Sequence, residues 1–364
     1  MVLAGGAGER FWPRSRRRFP KPLLRVADGR SLLRATLDRA ARFAPRERTW
    51  LVCGVEHAAA MRRESGLGPA HVLVEPLRRN TAMAAGFAAL HVARRRPDAV
   101  LVVLPADHLI PDEEAFERAV RRAARAAARA GVLVTLGVKP TRPDTGYGYI
   151  QVGEPARGFA GLRQVRRFVE KPDASRARQM LRRGGHLWNA GIFVWSARTL
   201  LAELSAHAPE IAAALARLEA KEGRRSRRRP ASEEVLAAYR AAPSAPVDVA
   251  VLERSDRVWT LPVGFRWSDV GTWASLAEEM GVTESENRQV EGDAMLEGAR
   301  GNLVWSAGPG PGKGRGGRQV VLLGVEGLAV IDSPDALLVA RLDRSQELRR
   351  VVEGLRARGR EDLL

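Results

Sequence analysis

The chain has little of what would mark a secreted or membrane-embedded protein. It carries a single cysteine in 364 residues, Cys53, so no intrachain disulfide can form, and the apolar run around it places that thiol inside a strand. No run of about 18 apolar residues crosses it and no signal-peptide pattern opens it. We therefore expect a soluble, cytoplasmic protein with no membrane partner. Aromatic residues make up only 5% and are not interleaved with basic ones as base stacking would require. Lysine is scarce too: of 60 Lys and Arg residues only 5 are lysine. The net charge of +18 is thus an arginine excess spread through every helix. It favours small anionic substrates by steering and does not indicate nucleic acid as a partner. Nor is there a Ser-His-Asp or Cys-His set from which to build a covalent nucleophile.

What is present is ample apolar material, 45% of the chain, enough for one large domain and a small one. Over the first 140 residues apolar strands alternate with helices. A short opening strand, Met1–Ala4, leaves room for a true start upstream. Ser31 caps a helix, TWLVC and HVLVEP read as strands, and a helix falls between them over roughly 56–65. Asn80 could cap the next helix, and Ala99 to Leu104 form a continuous apolar run suited to a strand covered on both faces. This alternation predicts an open, mostly parallel α/β sheet, whose ligands bind at the carboxyl ends of its strands. The segments TGYGYI, RQVRRFVEKP and LWNAGIFVW suggest strands around a second lobe, followed by helices between Ser196 and Ala242. Arg224 to Arg229 reads as a solvated loop. From about Val282 short β-segments take over and a polar helix begins near Ser345, dividing the chain at 1–280 and 281–364. The glycine-proline run Ala307 to Gly317 contains Lys313 but lacks phosphate-loop spacing, and reads as a hairpin loop.

Four places carry chemistry. The stretch LAGGAGERFWPRSRRRFPKPLL turns through Gly5, Gly6 and Gly8, where backbone N–H groups can approach an anion closely, and it adds the charges of Arg10 and Lys21. Phe11 stands where a dinucleotide fingerprint needs its third glycine, and no Lys-Ser/Thr closes a P-loop, so a polyphosphate held in another way is indicated. Asp107, directly after the buried strand in LPADH, could hold a hard cation or cap its own loop. Asp269, between two tryptophans before a helix, could be a second carboxylate or an N-cap. Asn80 and Thr81 carry the donors and acceptors to read a base edge, and His108 is expected to support its loop.

The spacing G-G-x-G-x-R-F-W-P-x-S-R-x-x-x-P-K-x-L resembles the signature of the sugar-1-phosphate nucleotidyltransferases, and Trp12-Pro13-x-Ser15-Arg16 resembles the mannose-1-phosphate guanylyltransferase group within them. EPLRRNTA, LPADH, TGYGYI, VEKP, WNAGIFVW and WSDVGTW follow in that family's order across residues 2–280. The resemblance implies a Rossmann-like, mixed but mostly parallel (GT-A-like) catalytic domain with a small C-terminal left-handed β-helix-like domain. It implies Mg²⁺ on Asp107 and Asp269, and a nucleotide against Gly5, Gly6, Gly8, Glu75, Asn80 and Thr81. The sugar and its phosphate would lie against Gly146, Glu170, Lys171 and Asn189. Arg10 and Lys21 would hold the departing pyrophosphate as GTP and mannose 1-phosphate give GDP-mannose. A homodimer is expected, and a monofunctional enzyme, since the chain ends short of a cupin-type isomerase domain. Two other readings are a sibling enzyme using another sugar phosphate or nucleotide, and a non-catalytic sugar-nucleotide-binding regulator. The presence of Asp107, Asp269 and Lys21 counts against the regulator.

Overall fold

Strands and helices alternate through the first half because apolar runs of four to six residues are separated by longer amphipathic or alanine-rich stretches. A computed structural model describes residues 1–6, 8–26, 29–220, 232–306 and 319–364. β1 (Val2–Ala4), α1 (Leu32–Ala41), β2 (Leu51–Gly54), α2 (Ala58–Ser65), β3 (Val72–Glu75), α3 (Asn80–Ala93) and β4 (Val100–Pro105) build the nucleus. Ser31 caps α1 as expected, its hydroxyl accepting from the Arg34 N–H at 3.0 Å. α3 is apolar almost all round, with Ala82 to His91 buried. It is accordingly enclosed in the largest core cluster, beside Leu200, Leu204, Ala214 and Leu215. α4 (Glu113–Ala130) is one-sided instead: Phe116, Ala119, Val120, Ala123, Ala126 and Ala127 face a second core, and its arginines face water.

β5 (Leu133–Val138), β6 (Tyr149–Pro155), β7 (Arg163–Val169), α5 (Ala174–Arg183), β8 (His186–Ser196), α6 (Ala197–His207), α7 (Pro209–Ala220), α8 (Ser232–Ala241) and β9 (Val258–Val263) complete the large unit. Among the described residues nine strands form one sheet in the order β3-β2-β1-β4-β8-β5-β9-β7-β6. The pairings leave β7 and β8 running against the other seven, so the sheet is mixed and mostly parallel. The 11-residue β8 joins its parts: its first residues pair with β6, its middle with β5, and its end with β4. Cys53 lies fully buried in β2, and burial pushes its thiol up to about 12, which leaves it inert.

After α9 (Trp273–Glu279) the chain forms β10 (Arg288–Gln289), β11 (Ala294–Glu297), β12 (Leu303–Trp305), β13 (Val320–Leu323), β14 (Leu328–Ser333), β15 (Ala336–Arg341) and α10 (Leu348–Ala357). β10, β12 and β14 pair in parallel, β15 closes that sheet antiparallel, and β11 pairs in parallel with β13. Strand alternation divides the side chains cleanly. Leu303, Trp305, Ala329 and Ile331 pack on Phe11, Trp12 and Trp273, while Val304 and Val330 face Val320 and Leu322. The fully buried Asn302 stitches the turns, donating to Asn287 Oδ1 at 2.8 Å and the Val325 carbonyl at 3.1 Å and accepting from the Leu328 N–H at 2.9 Å. The small unit grips the glycine-loop exit directly. Arg16 reaches Asp335 at 2.6 Å, and Trp12 Nε1 donates to the Leu363 carbonyl at 2.8 Å.

The terminal helix expected near Ser345 begins at Leu348, after a 3₁₀ turn over Leu342–Glu347. Arg224 to Arg229 and the run Ala307 to Gly317, with Lys313, lie outside the described residues. Among the described residues no helix is long and apolar enough to cross a membrane.

Candidate active site

The carboxyl ends of β1, β3 and β4 open on one edge of the sheet, and a cleft of about 560 Å³ runs along it. Gly5, Gly6, Glu75, Asn80, Thr81, Asp107, Gly146, Glu170, Lys171, Asn189 and Asp269 line it. Residues from motifs far apart in the chain thus share one space, whereas Gly8, Arg10 and Lys21 are not among its lining residues.

Gly8 has φ +63°, and a Cβ there would come within 2.8 Å of Lys21 Cβ, so only glycine allows the loop to pack on the lysine. Lys21 lies in the 3₁₀ turn Lys21–Leu23 and is buried. Its Nζ donates to Asp107 Oδ2 at 2.6 Å and to the Asp269 carbonyl at 2.7 Å. The lysine expected at the pyrophosphate is therefore also the link between the two aspartates. Arg10 donates to the Gly271 carbonyl at 3.3 Å, at the same junction. Burial is the largest influence and works to raise the Asp107 carboxyl, but the Lys21 charge and hydrogen bond, together with smaller contributions from His108 and a backbone hydrogen bond, hold it below the usual carboxylate range.

Asp269 is not an N-cap. Thr272 caps α9, its Oγ1 accepting from the Ser275 N–H at 3.2 Å, which frees the Asp269 carboxylate to accept from the Tyr147 hydroxyl at 2.9 Å. Burial and that neighbouring carboxylate raise the Tyr147 phenol, so it stays a donor. The Asp107 and Asp269 segments, joined through the Lys21 ammonium, present carboxylate oxygens, which are hard donors that suit positive charge. No group of three or more His, Cys, Asp or Glu that could hold a metal exists among the described residues. The donor set the cleft offers is the two carboxylates Asp107 and Asp269, and a small hard cation such as Mg²⁺ takes one or two protein carboxylates beside water and phosphate oxygens.

His108 supports its loop, as expected. Its Nδ1 accepts from Trp267 Nε1 at 3.2 Å, and its carbonyl accepts from the buried Arg39 at 2.9 Å. Burial pushes the imidazole down to about 4, so it is neutral at physiological pH.

At the other walls, Glu75 accepts from the Tyr239 hydroxyl at 3.1 Å, yet burial pushes its carboxyl up to about 7. Thr81 Oγ1 accepts from the Val247 N–H at 2.9 Å. Glu170 accepts from Lys171 Nζ at 2.7 Å, and its Oε2 lies where a Cβ on Gly148 would come within 2.6 Å. The Gly146 N–H donates to Asp144 Oδ1 at 2.8 Å, fixing the turn before Tyr147. Among the described residues three non-glycine positions have left-handed backbones: Asn80 at φ +63°, Lys171 at +44° and Val270 at +47°. The first two line the cleft and the third adjoins Asp269. Such backbone strain concentrates at functional sites, and for β-branched Val270 it is costly. Asn80, expected as a possible cap, opens α3 with its Oδ1 on the Thr81 N–H at 2.8 Å.

Sequence reasoning passed over Tyr147, Tyr239 and Asp248. Tyr147 was within reach, since it sits inside TGYG. The other two lie in segments with no motif, and only the folding of α8 and the turn after it against the cleft brings them in.

Residues 1–286 match the family described as Nucleotidyl transferase. The chain belongs to that family. This nucleotidyltransferase also matches, over residues 315–355, the MannoseP isomerase/GMP-like beta-helix domain, which agrees with the stacked parallel strands of its C-terminal unit. It is 34% identical to the alginate biosynthesis protein AlgA of Pseudomonas aeruginosa, over all of this chain and 73% of that one. It is 33% identical to the mannose-1-phosphate guanylyltransferase of Escherichia coli, over all of this chain and 74% of that one. Among solved structures it is similar to a Thermus thermophilus protein described as a mannose-1-phosphate geranyltransferase, with a TM-score of 0.83, 34% identity and 98% of each chain covered.

Proposed function

We propose that this nucleotidyltransferase transfers GMP from GTP to mannose 1-phosphate, giving GDP-mannose and pyrophosphate. The observation that carries the reading is the single cleft in which the Asp107–Lys21–Asp269 cluster meets a base-reading wall and a sugar-reading wall. Its likeness to an E. coli enzyme named for that reaction supports the choice of substrates.

Asn80, Thr81 and Glu75 would receive the guanine end, and the amides of Gly5, Gly6 and Gly8 the phosphates. Glu170 and Asn189 would bind sugar hydroxyls beside Gly146, with Lys171 on the sugar phosphate. Asp107 and Asp269 would hold Mg²⁺, which when bound neutralises charge on the reacting phosphates. Lys21 and Arg10 bring further positive charge to the place where pyrophosphate leaves. The attacking phosphate oxygen is ionised at neutral pH, so positioning and charge neutralisation suffice and no general base is needed. The neutral His108, its Nδ1 occupied by Trp267, agrees with that. We take residues 1–280 as the catalytic unit and 281–364 as the β-helix-like one, in a cytoplasmic homodimer.

Pyrophosphate release measured over a grid of GTP, UTP and dTTP against mannose 1-phosphate and glucose 1-phosphate tests the reading. Release with GTP and mannose 1-phosphate, dependent on Mg²⁺ and abolished in Asp107→Ala, is expected. A preference for UTP or dTTP, or full activity in Asp107→Ala, would overturn it.

A further inference from the structure

The sugar end of the cleft contains a carboxyl group to which no motif assigns a role. Asp248 opens the π-helical turn Asp248–Leu252, is 8% exposed, and lines the same cavity as Glu170, Lys171 and Asn189. The segment leading to it is anchored to the base-reading wall, since the Val247 N–H donates to Thr81 Oγ1 at 2.9 Å and the Ala245 carbonyl accepts from the Ala82 N–H at 3.1 Å. Asn189 Nδ2 donates to Asp248 Oδ1 at 2.8 Å. Asn189 Oδ1 accepts from Thr135 Oγ1 at 2.7 Å and from the Gly191 N–H at 3.1 Å. A primary amide has two N–H donors, so with one spent on Asp248 and both acceptor positions filled, Asn189, which lines the cleft, has its other N–H to offer a ligand.

We propose that Asp248 is a further substrate-binding residue, reading a sugar hydroxyl with its carboxyl group while it fixes the Asn189 amide toward the same ring. The proposal rests on the sugar-phosphate reading of this end of the cleft. A carboxyl group buried without a cation costs free energy unless it is neutral and hydrogen-bonded. The cation in reach, Lys171, is already paired with Glu170. Burial and the facing Glu170 charge push Asp248 up to about 7, with Lys171 and the Asn189 bond opposing. Glu253, at the end of the same turn, adds a further carboxylate, its Oε1 accepting from the Glu170 N–H at 2.8 Å, and Arg78 and Arg79 line the same cavity. In the neutral form the carboxyl is donor and acceptor at once, which matches a sugar hydroxyl. Above pH 7 it loses the donor and gains repulsion against Glu170.

Steady-state pyrophosphate release by the full chain, with GTP, mannose 1-phosphate and Mg²⁺, tests this in the wild type, Asp248→Ala and Asp248→Asn. Asp248→Ala should raise KM for mannose 1-phosphate about tenfold, the loss of roughly one well-made hydrogen bond, and leave KM for GTP within twofold. Asp248→Asn retains a donor and should raise that KM less. The ratio of wild-type to Asp248→Asn KM should climb several-fold between pH 6 and pH 8.5, because only the wild type titrates. Equal changes in both KM values, no change in either, or parallel pH profiles would overturn the proposal. If Asp248→Ala does not fold, judged by its melting curve, the Asp248→Asn pH profile decides alone. A wild type silent with this substrate pair would instead overturn the proposed function, and this inference with it.

Discussion

Replacing Lys21 by methionine keeps most of the side-chain volume and removes the charge that Asp107 leans on. The pair is 2.6 Å apart, with 10% of the lysine and 24% of the aspartate side chain exposed. Baring one partner of a fully buried pair costs about 3–5 kcal/mol. Asp107 retains some contact with water in the cleft, so about 2 kcal/mol is expected here. For a domain of this size that lowers the melting temperature by about 4–8 °C. The pH dependence is the sharper readout. In the wild type the Asp107 carboxyl lies below its unfolded value, so its stabilisation is present above that value and is lost as pH falls through the folded one. Without Lys21 burial dominates over the smaller remaining influences of His108 and the backbone hydrogen bond, and the carboxyl is expected to rise above its unfolded value. The ionised form then penalises the fold at neutral pH, and the penalty fades toward pH 4. Melting curves at pH 7.5 and pH 4.5 should therefore show a gap between wild type and Lys21→Met that narrows in acid. Adding Asp107→Asn to Lys21→Met should restore most of the stability at pH 7.5 while pyrophosphate release stays lost. A gap of equal size at both pH values, or a double variant less stable than the single, would refute the account.

Tyr147→Phe removes the 2.9 Å bond to Asp269 and, with Asp269 as the proposed cation ligand, should raise the half-saturating Mg²⁺ concentration for pyrophosphate release about tenfold. An unchanged Mg²⁺ requirement would detach Tyr147 from the cation site. Glu75, pushed up to about 7, keeps a proton in the folded state that the unfolded chain has lost. Stability should accordingly fall as pH rises from about 4.5 to 7, and Glu75→Gln should flatten that slope and gain up to about 3 kcal/mol at pH 8. Parallel denaturation slopes for the two proteins across that range would count against a buried, protonated Glu75.

Much was legible in the order of residues because its physics is local. Runs such as VLVVLP are apolar enough to be covered strands, Ser31 precedes its helix as a cap does, and glycines at Gly6 and Gly8 permit a backbone few other residues adopt. Asp107 could be placed at the ligand edge of the sheet because it follows a buried strand. The tertiary structure alone decided what depends on contacts between distant segments. It turned Lys21 from a free phosphate-binding charge into the bridge between Asp107 and Asp269, residues 86 and 248 positions away. It gave the α9 cap to Thr272 and so released Asp269, and it brought Asp248 from an unmarked segment to the cleft wall and Tyr239 from another onto Glu75, which lines it. Periodicity and turn chemistry act over a few residues, whereas desolvation, charge pairing and hydrogen-bond completion depend on which side chains the closed sheet encloses together.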